Sequence, residues 1–235
     1  MKSAKSVGRL VGMLLFVQLA GLIVPFALLH PVTRNSRDFL ANAAASAGQI
    51  RTAVFLLFVN CAVTIGISIA AWRVFREYSE AMALWLVAAS VIMFSMQAVD
   101  NAHVLSMLSL SQRYAESGGP DELFQALAAT VGSTRRWAHF TELLVIDCWI
   151  FLLYGILYRF ALVPRALAVF GLATVLLHFA AIPLRAFLGY AIVTPLGMPM
   201  AVGLIALATW LTARGFEERR RPRHAEARAV ELAGA

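Results

Sequence analysis

The sequence predicts an all-α, polytopic membrane bundle of six helices, with a short amphipathic helix in the loop between spans three and four. Three observations predict it. Sixty per cent of the 235 residues are hydrophobic and 14% are charged, where a soluble domain is nearer half apolar and about a quarter charged. Apolar runs of about 20 residues, the length that crosses a bilayer as a helix, recur six times. The charged residues gather between those runs, with few exceptions. This excludes a large soluble domain and divides the chain into a six-span bundle, residues 1–213, and a basic tail, residues 214–235.

Lys2, Lys5 and Arg9 precede the first run, residues 10–29. It is longer than the apolar core of a signal peptide and no clean small-x-small site follows, so it is expected to be a retained span. Gln18, Gly21 and Pro25 mark a face that packs on other helices. Residues 32–50 form a polar and alanine-rich connection in which Ser36 can cap a short helix over residues 38–45. The second span is residues 53–72, with Asn60, Thr64 and Ser68 in a stripe at steps of four, the pattern of interhelical hydrogen bonding. The third span, from Met82 to about Leu110, exceeds the usual length and should tilt or protrude.

Residues 112–136 are the longest loop. Gly118-Gly119-Pro120-Asp121-Glu122 is a break and a helix start. Leu123, Phe124, Leu127, Ala128 and Val131 then repeat at helical spacing, and Gly132 can end the turn. The expectation is a short helix at the membrane surface, an ordinary connector or a lid. Spans four, five and six follow at residues 137–158, 166–188 and 191–211. Pro195 and Pro199 should break the sixth early. The tail should extend as a helix from Arg214 and fray by Ala225.

Six spans place both termini on one side. That side carries 13 of the 20 Lys and Arg residues and the other carries 7, which favours cytoplasmic termini in the inner (plasma) membrane. The tail holds 6 of the 20 Lys and Arg residues, and this basic cluster suits anionic lipid headgroups rather than nucleic acid. Cys61 and Cys148 both lie in apolar runs, as packing residues rather than a disulfide. Small residues on spans two, five and six serve internal packing or a homodimer equally well.

The polar residues inside the spans carry the functional signal. An ionisable group at the bilayer centre costs about 2.5–3.5 kcal/mol even on the mild insertion scale. Asp100 and His103 are three residues apart on span three, and His139 and Glu142 three apart on span four, so each pair shares a helix face. At about 1.5 Å of rise per residue, these pairs, Asp147 and His178 fall in the outer half or near mid-membrane, and Arg185 near the outer boundary. That pattern implies an outward-facing polar cavity between spans three, four and five.

The sharpest reading is a divalent transition-metal site for zinc, iron or copper, with ligands among His103, His139, Glu142, His178 and Asp100. Glu142 and Asp147 are the candidate catalytic bases, and Arg185 and Gln97 the candidate contacts to a cofactor or small-molecule ligand. The bland alternative is an ion-pair network, Asp100 or Glu142 with Arg185, His103 with either acid, and Asp147 with Tyr154 or a serine. A third reading is proton-coupled transport, with Pro25, Pro183, Pro195 and Pro199 breaking helices beside the cavity. Ser106, Ser109 or Ser111 can approach a histidine, but there is no nucleophile elbow, P-loop or dinucleotide fingerprint.

Three stretches resemble a known family: Gly8-Arg9-Leu10-Val11-Gly12, His139 at the start of the fourth span, and Tyr154-Gly155-Ile156-Leu157-Tyr158 running into Val163-Pro164-Arg165-Ala166-Leu167-Ala168-Val169-Phe170-Gly171-Leu172. In these the chain resembles a bacterial membrane family catalogued as domain of unknown function 4386, over most of its length to about Leu211. The resemblance implies a six-helix bundle and leaves the activity open. Of the polar cluster, His139 falls on a family-like position.

Overall fold

The computed structural model describes residues 3–33, 39–117 and 122–217. In chain order the elements are α1 (Ala4–Leu28), α2 (His30–Thr33), α3 (Phe39–Asn42), a 3-10 turn (Ala44–Ser46), α4 (Ala47–Phe75), α5 (Glu80–Ser117), α6 (Glu122–Arg159), α7 (Arg165–Leu188) and α8 (Val193–Arg214). Six of them, α1 and α4 to α8, are long and apolar enough to cross a membrane. Large apolar side chains point outward along them, among them Ile23, Phe55, Trp85 and Phe187. In water such a surface would aggregate; against lipid it is solvated. The chain is an all-helical, multi-pass membrane bundle.

Each span packs on the next, and α8 closes on α1, so the six form a ring in chain order. The closure depends on glycine. A Cβ at Gly8 would meet the backbone of Gly215 and Phe216, and one at Gly12 the backbone of Thr212 and Ala208. Two glycines four residues apart thus let α1 and the end of α8 touch main chain to main chain. Gly215, at φ 73°, ends α8 and turns Phe216 inward, where its ring lies 5.3 Å from that of Phe75. Both described chain ends therefore share one face, called here the terminal face.

Large side chains fill the ring. Trp149, Tyr154, Phe75 and Phe216 are almost fully buried in an apolar cluster toward the terminal face. Tyr154 lies so close to Gly171 that any Cβ there would enter its ring. A second apolar cluster, around Phe39, Ile50, Leu57, Val104 and Met107, fills the distal half. The segment before α4 is docked there. Phe39, Leu40 and Ala43 are buried, the Ser111 hydroxyl donates to the Leu40 carbonyl at 2.7 Å, and the Ala44 amide donates to that hydroxyl at 2.8 Å. Ser36 and Asp38 lie outside the described residues.

Four expectations change. The apolar repeat at Leu123–Val131 is helical, but it is the first part of α6 rather than a separate surface helix. Gly132 is buried within α6 and does not end it, because a helix-interior glycine costs only about 1 kcal/mol and packing against α5 outweighs that. Ala128 is buried in the distal cluster, and the Tyr114 and Phe124 rings meet edge to face at 5.6 Å. With 38 residues each, α5 and α6 are about 57 Å long, so this hairpin protrudes well beyond a hydrocarbon core of about 30 Å. The sixth span is unbroken: Pro195 sits in the first turn of α8, where its missing N–H costs nothing, and Pro199 is carried inside. Helix α8 also stops at Arg214, earlier than the expected extension, and residues 218–235 lie outside the described residues.

Gly171→Ala should destabilise the bundle by about 1–3 kcal/mol, the usual cost of overpacking, seen as a lower unfolding temperature in detergent. Tyr154→Phe should change it little, because the buried Tyr154 hydroxyl has no hydrogen-bond partner among the described residues. A Gly171→Ala protein as stable as the parent would contradict this packing.

Candidate metal centre

Between the two apolar clusters lies a layer of polar side chains. Asn60, Thr64, Gln97, Asp100, Asn101, Glu142, Asp147 and His178 are all buried. With no water at hand, each must be satisfied from a neighbouring helix or its own backbone. The layer resolves into three groups.

The first ties α1, α4 and α6 together. Gln18 donates to the Thr64 hydroxyl, and the Trp149 indole donates to Ser68 at 2.9 Å. A Cβ at Gly21 would meet the Asn60 amide. The stripe at steps of four on α4 is thus an interhelical hydrogen-bonding face, and Gln18, Gly21 and Pro25 do lie on the packed side of α1.

The second joins α6 to α7. Nδ1 of His178 lies 2.9 Å from each oxygen of Asp147. Asp147 is therefore not bonded to Tyr154 or a serine. Gly197 leaves room for the imidazole: a Cβ there would come within 3.3 Å of Nε2.

The third is the cluster on α5 and α6. Arg135 reaches Asp100 twice, with Nη2 donating to Oδ2 at 3.3 Å and Nε 3.2 Å from Oδ1. The second contact is an ion pair by distance but misses hydrogen-bond alignment, and both atoms lack a directed partner. His139, one turn beyond Arg135, places Nδ1 3.4 Å from Glu142 Oε2 and 3.9 Å from Asp100 Oδ2. That nitrogen is buried and has no hydrogen-bond partner among the described residues. One ligand atom from each of Asp100, His139 and Glu142 falls within 4.8 Å of the others, so the group can hold a metal ion. Beside it, Gln97 donates to Asn101 at 3.1 Å, Asn101 donates to the Val54 carbonyl at 3.3 Å, and the Cys61 thiol faces Gln97 at 3.8 Å.

Of the five candidate ligands, the fold brings together Asp100, His139 and Glu142. His178 is committed to Asp147, and His103, half-buried, stands outside the converging group. Arg185 meets neither Asp100 nor Glu142; it donates to the Gly189 carbonyl at 2.9 Å. The cation on Asp100 is Arg135, which a fourth span beginning at Trp137 leaves in a loop. The signal for it was the spacing Arg135–His139, one helical turn on the face that Glu142 continues.

His139 and Arg135 also line a cavity of about 1050 Å³ in the distal half, between residues 132–143 of α6, the end of α7 and the start of α8. Arg136, Arg185, Trp137 and Phe187 stand on its wall. A second hollow of about 390 Å³ lies between α6 and α7; Asp147 and Cys148 line it, with otherwise apolar walls. Both cysteines are free.

Fold and cluster define the class: a ring of membrane-crossing helices around a buried acid–imidazole centre. The chain belongs to the family described as domain of unknown function (DUF4386), whose model matches residues 10–215. No curated protein and no solved structure matches it.

A double-mutant cycle on Asp147→Asn and His178→Gln should give a coupling of about 1–2 kcal/mol, near the upper end for hydrogen bonds within membranes, read from unfolding in detergent. Additive effects would mean the two side chains do not hold each other. Arg185→Gln should alter stability by no more than about 0.5 kcal/mol, as expected of an exposed site.

Proposed function

We propose that the protein is an inner-membrane enzyme in which Asp100, His139 and Glu142 hold a divalent transition-metal ion at the floor of the distal cavity. Its substrate is a lipid-soluble or periplasmic small molecule. The observation that carries this reading is the buried Nδ1 of His139, 3.4 and 3.9 Å from two buried carboxylates yet without a directed hydrogen bond among the described residues, on a side chain that borders the cavity. Ligands about 2.1 Å from a tetrahedral ion lie about 3.4 Å from one another. The observed 3.4 and 3.9 Å separations are within a side-chain adjustment of that.

Imidazole with carboxylate suits zinc, iron or copper. Three protein ligands leave a further position for a reacting molecule, the arrangement typical of catalytic sites. An ion held there would activate a water or an oxygen species. Glu142 is the nearer candidate base; Asp147, bonded to His178, lies further along α6. The excess of Lys and Arg on the terminal side supports cytoplasmic termini, which turns the cavity outward. The basic tail would then meet anionic lipids of the inner leaflet, and a homodimer is compatible with the small residues on three spans.

One observation favours a second reading. Arg135 already supplies a positive charge to Asp100. The same cavity would then serve as a transporter or receptor site without metal, its acids balanced by Arg135.

Metal analysis of the purified protein separates the two. About one equivalent of metal, lost in both His139→Ala and Glu142→Ala, is expected; a well-folded preparation without metal removes the first reading. Arg135→Gln sharpens the contrast. It removes one partner of a buried pair and should cost about 3 kcal/mol, and added zinc should restore the loss only if the three ligands bind it. Proton-coupled flux in liposomes would support transport.

A further inference from the structure

The distal cavity has a chemistry of its own, separate from the metal question. Three guanidinium groups line it, on Arg135, Arg136 and Arg185. Only Arg135 has an acidic partner among the described residues; Arg136 and Arg185, both exposed, form no ion pair. Among the described residues, no acidic side chain stands on the cavity wall. Arg185 uses one nitrogen on the Gly189 carbonyl, which holds its position and leaves other donors of the planar fork free.

The start of α8 adds to this. Val193 and Thr194 line the same cavity, no side chain caps the helix, and its first turn contains no acid. The first two amides of α8, on Val193 and Thr194, and the positive end of the helix dipole therefore border the space that the arginines line. The rim is apolar. Phe187 and Leu188 are 75% and 62% exposed, and the Trp137 and Phe187 rings bridge α6 and α7 at 5.9 Å. Aromatic side chains at a span's end are the usual mark of the headgroup level.

A cationic interior with an apolar rim fits one kind of molecule. We propose that this cavity binds an anionic amphiphile, its phosphate or carboxylate head held by Arg136, Arg185 and the α8 amides, and its chain passing over Phe187 and Leu188. The volume, about 1050 Å³, is at the upper end of small-molecule pockets. The proposal names a substrate class for the centre described above and rests on that reading for what becomes of the bound molecule. Binding itself does not require a metal.

The test is native mass spectrometry of the full chain from detergent, with phosphatidylglycerol, phosphatidylcholine and inorganic phosphate as separate probes. The wild type should retain phosphatidylglycerol about tenfold more strongly than phosphatidylcholine, the scale of one charge-assisted hydrogen bond. The Arg136→Gln/Arg185→Gln protein should lose that preference. Arg73→Gln/Arg76→Gln, which removes the same charge near the terminal face, should keep it. Equal retention of both lipids by the wild type, an unchanged preference in the cavity variant, or the same loss in the control overturns the proposal. Phosphate binding as tightly as the lipid would show a free-anion site and overturn the amphiphile. Metal content measured on the same samples keeps the two readings apart: lipid preference without metal leaves this inference standing, and metal without preference leaves only the other.

Discussion

A polar side chain within a bilayer cannot turn to water, so it is satisfied by its own backbone or by another helix. That constraint organises the middle of this molecule. Asp100 on α5 takes its positive charge from Arg135 on α6, and Asp147 on α6 takes His178 on α7. Trp149 on α6 reaches across the ring to Ser68 on α4, while Thr64 accepts from Gln18 on α1. Apolar packing alone discriminates poorly between helix rotations where lipid is as apolar as leucine. These paired groups each admit few rotations, and together they set the register of the spans. The two apolar clusters lie on either side of this layer.

Close approach by glycine is the complementary device. Gly8 and Gly12 bring α1 onto the end of α8, and Gly171 admits the Tyr154 ring. These positions lie within the stretches that carry the family resemblance, which are mainly packing motifs of the terminal half. The polar cluster lies away from most of them. Fold by itself does not dictate what that cluster does.

His139 belongs to the acid–imidazole group and to the wall of the arginine-lined cavity at once. A head group held by Arg136 and Arg185 would sit in the chamber onto which that group opens. Arg135 stands between the two, neutralising Asp100 on one side and facing the chamber on the other. Its charge would disfavour a bound cation and favour a bound anion.

The six spans were legible in the sequence, because hydropathy over about 20 residues reports transfer into lipid directly and needs no partner. So were the packed side of α1, the bonding stripe on α4 and the face shared by His139 and Glu142, since each follows from helical period alone. Partner choice was not legible. That Arg135 and not Arg185 meets Asp100, that His178 serves Asp147 and not the cluster, and that His103 stands aside depend on how each helix is rotated about its axis. The extension of α6 back to Glu122 likewise depended on what α5 offered for packing. Local pattern determined which residues lie along one face of one helix; only the assembled ring decided which faces meet, because pairing energy exists between helices and is written in none of them singly.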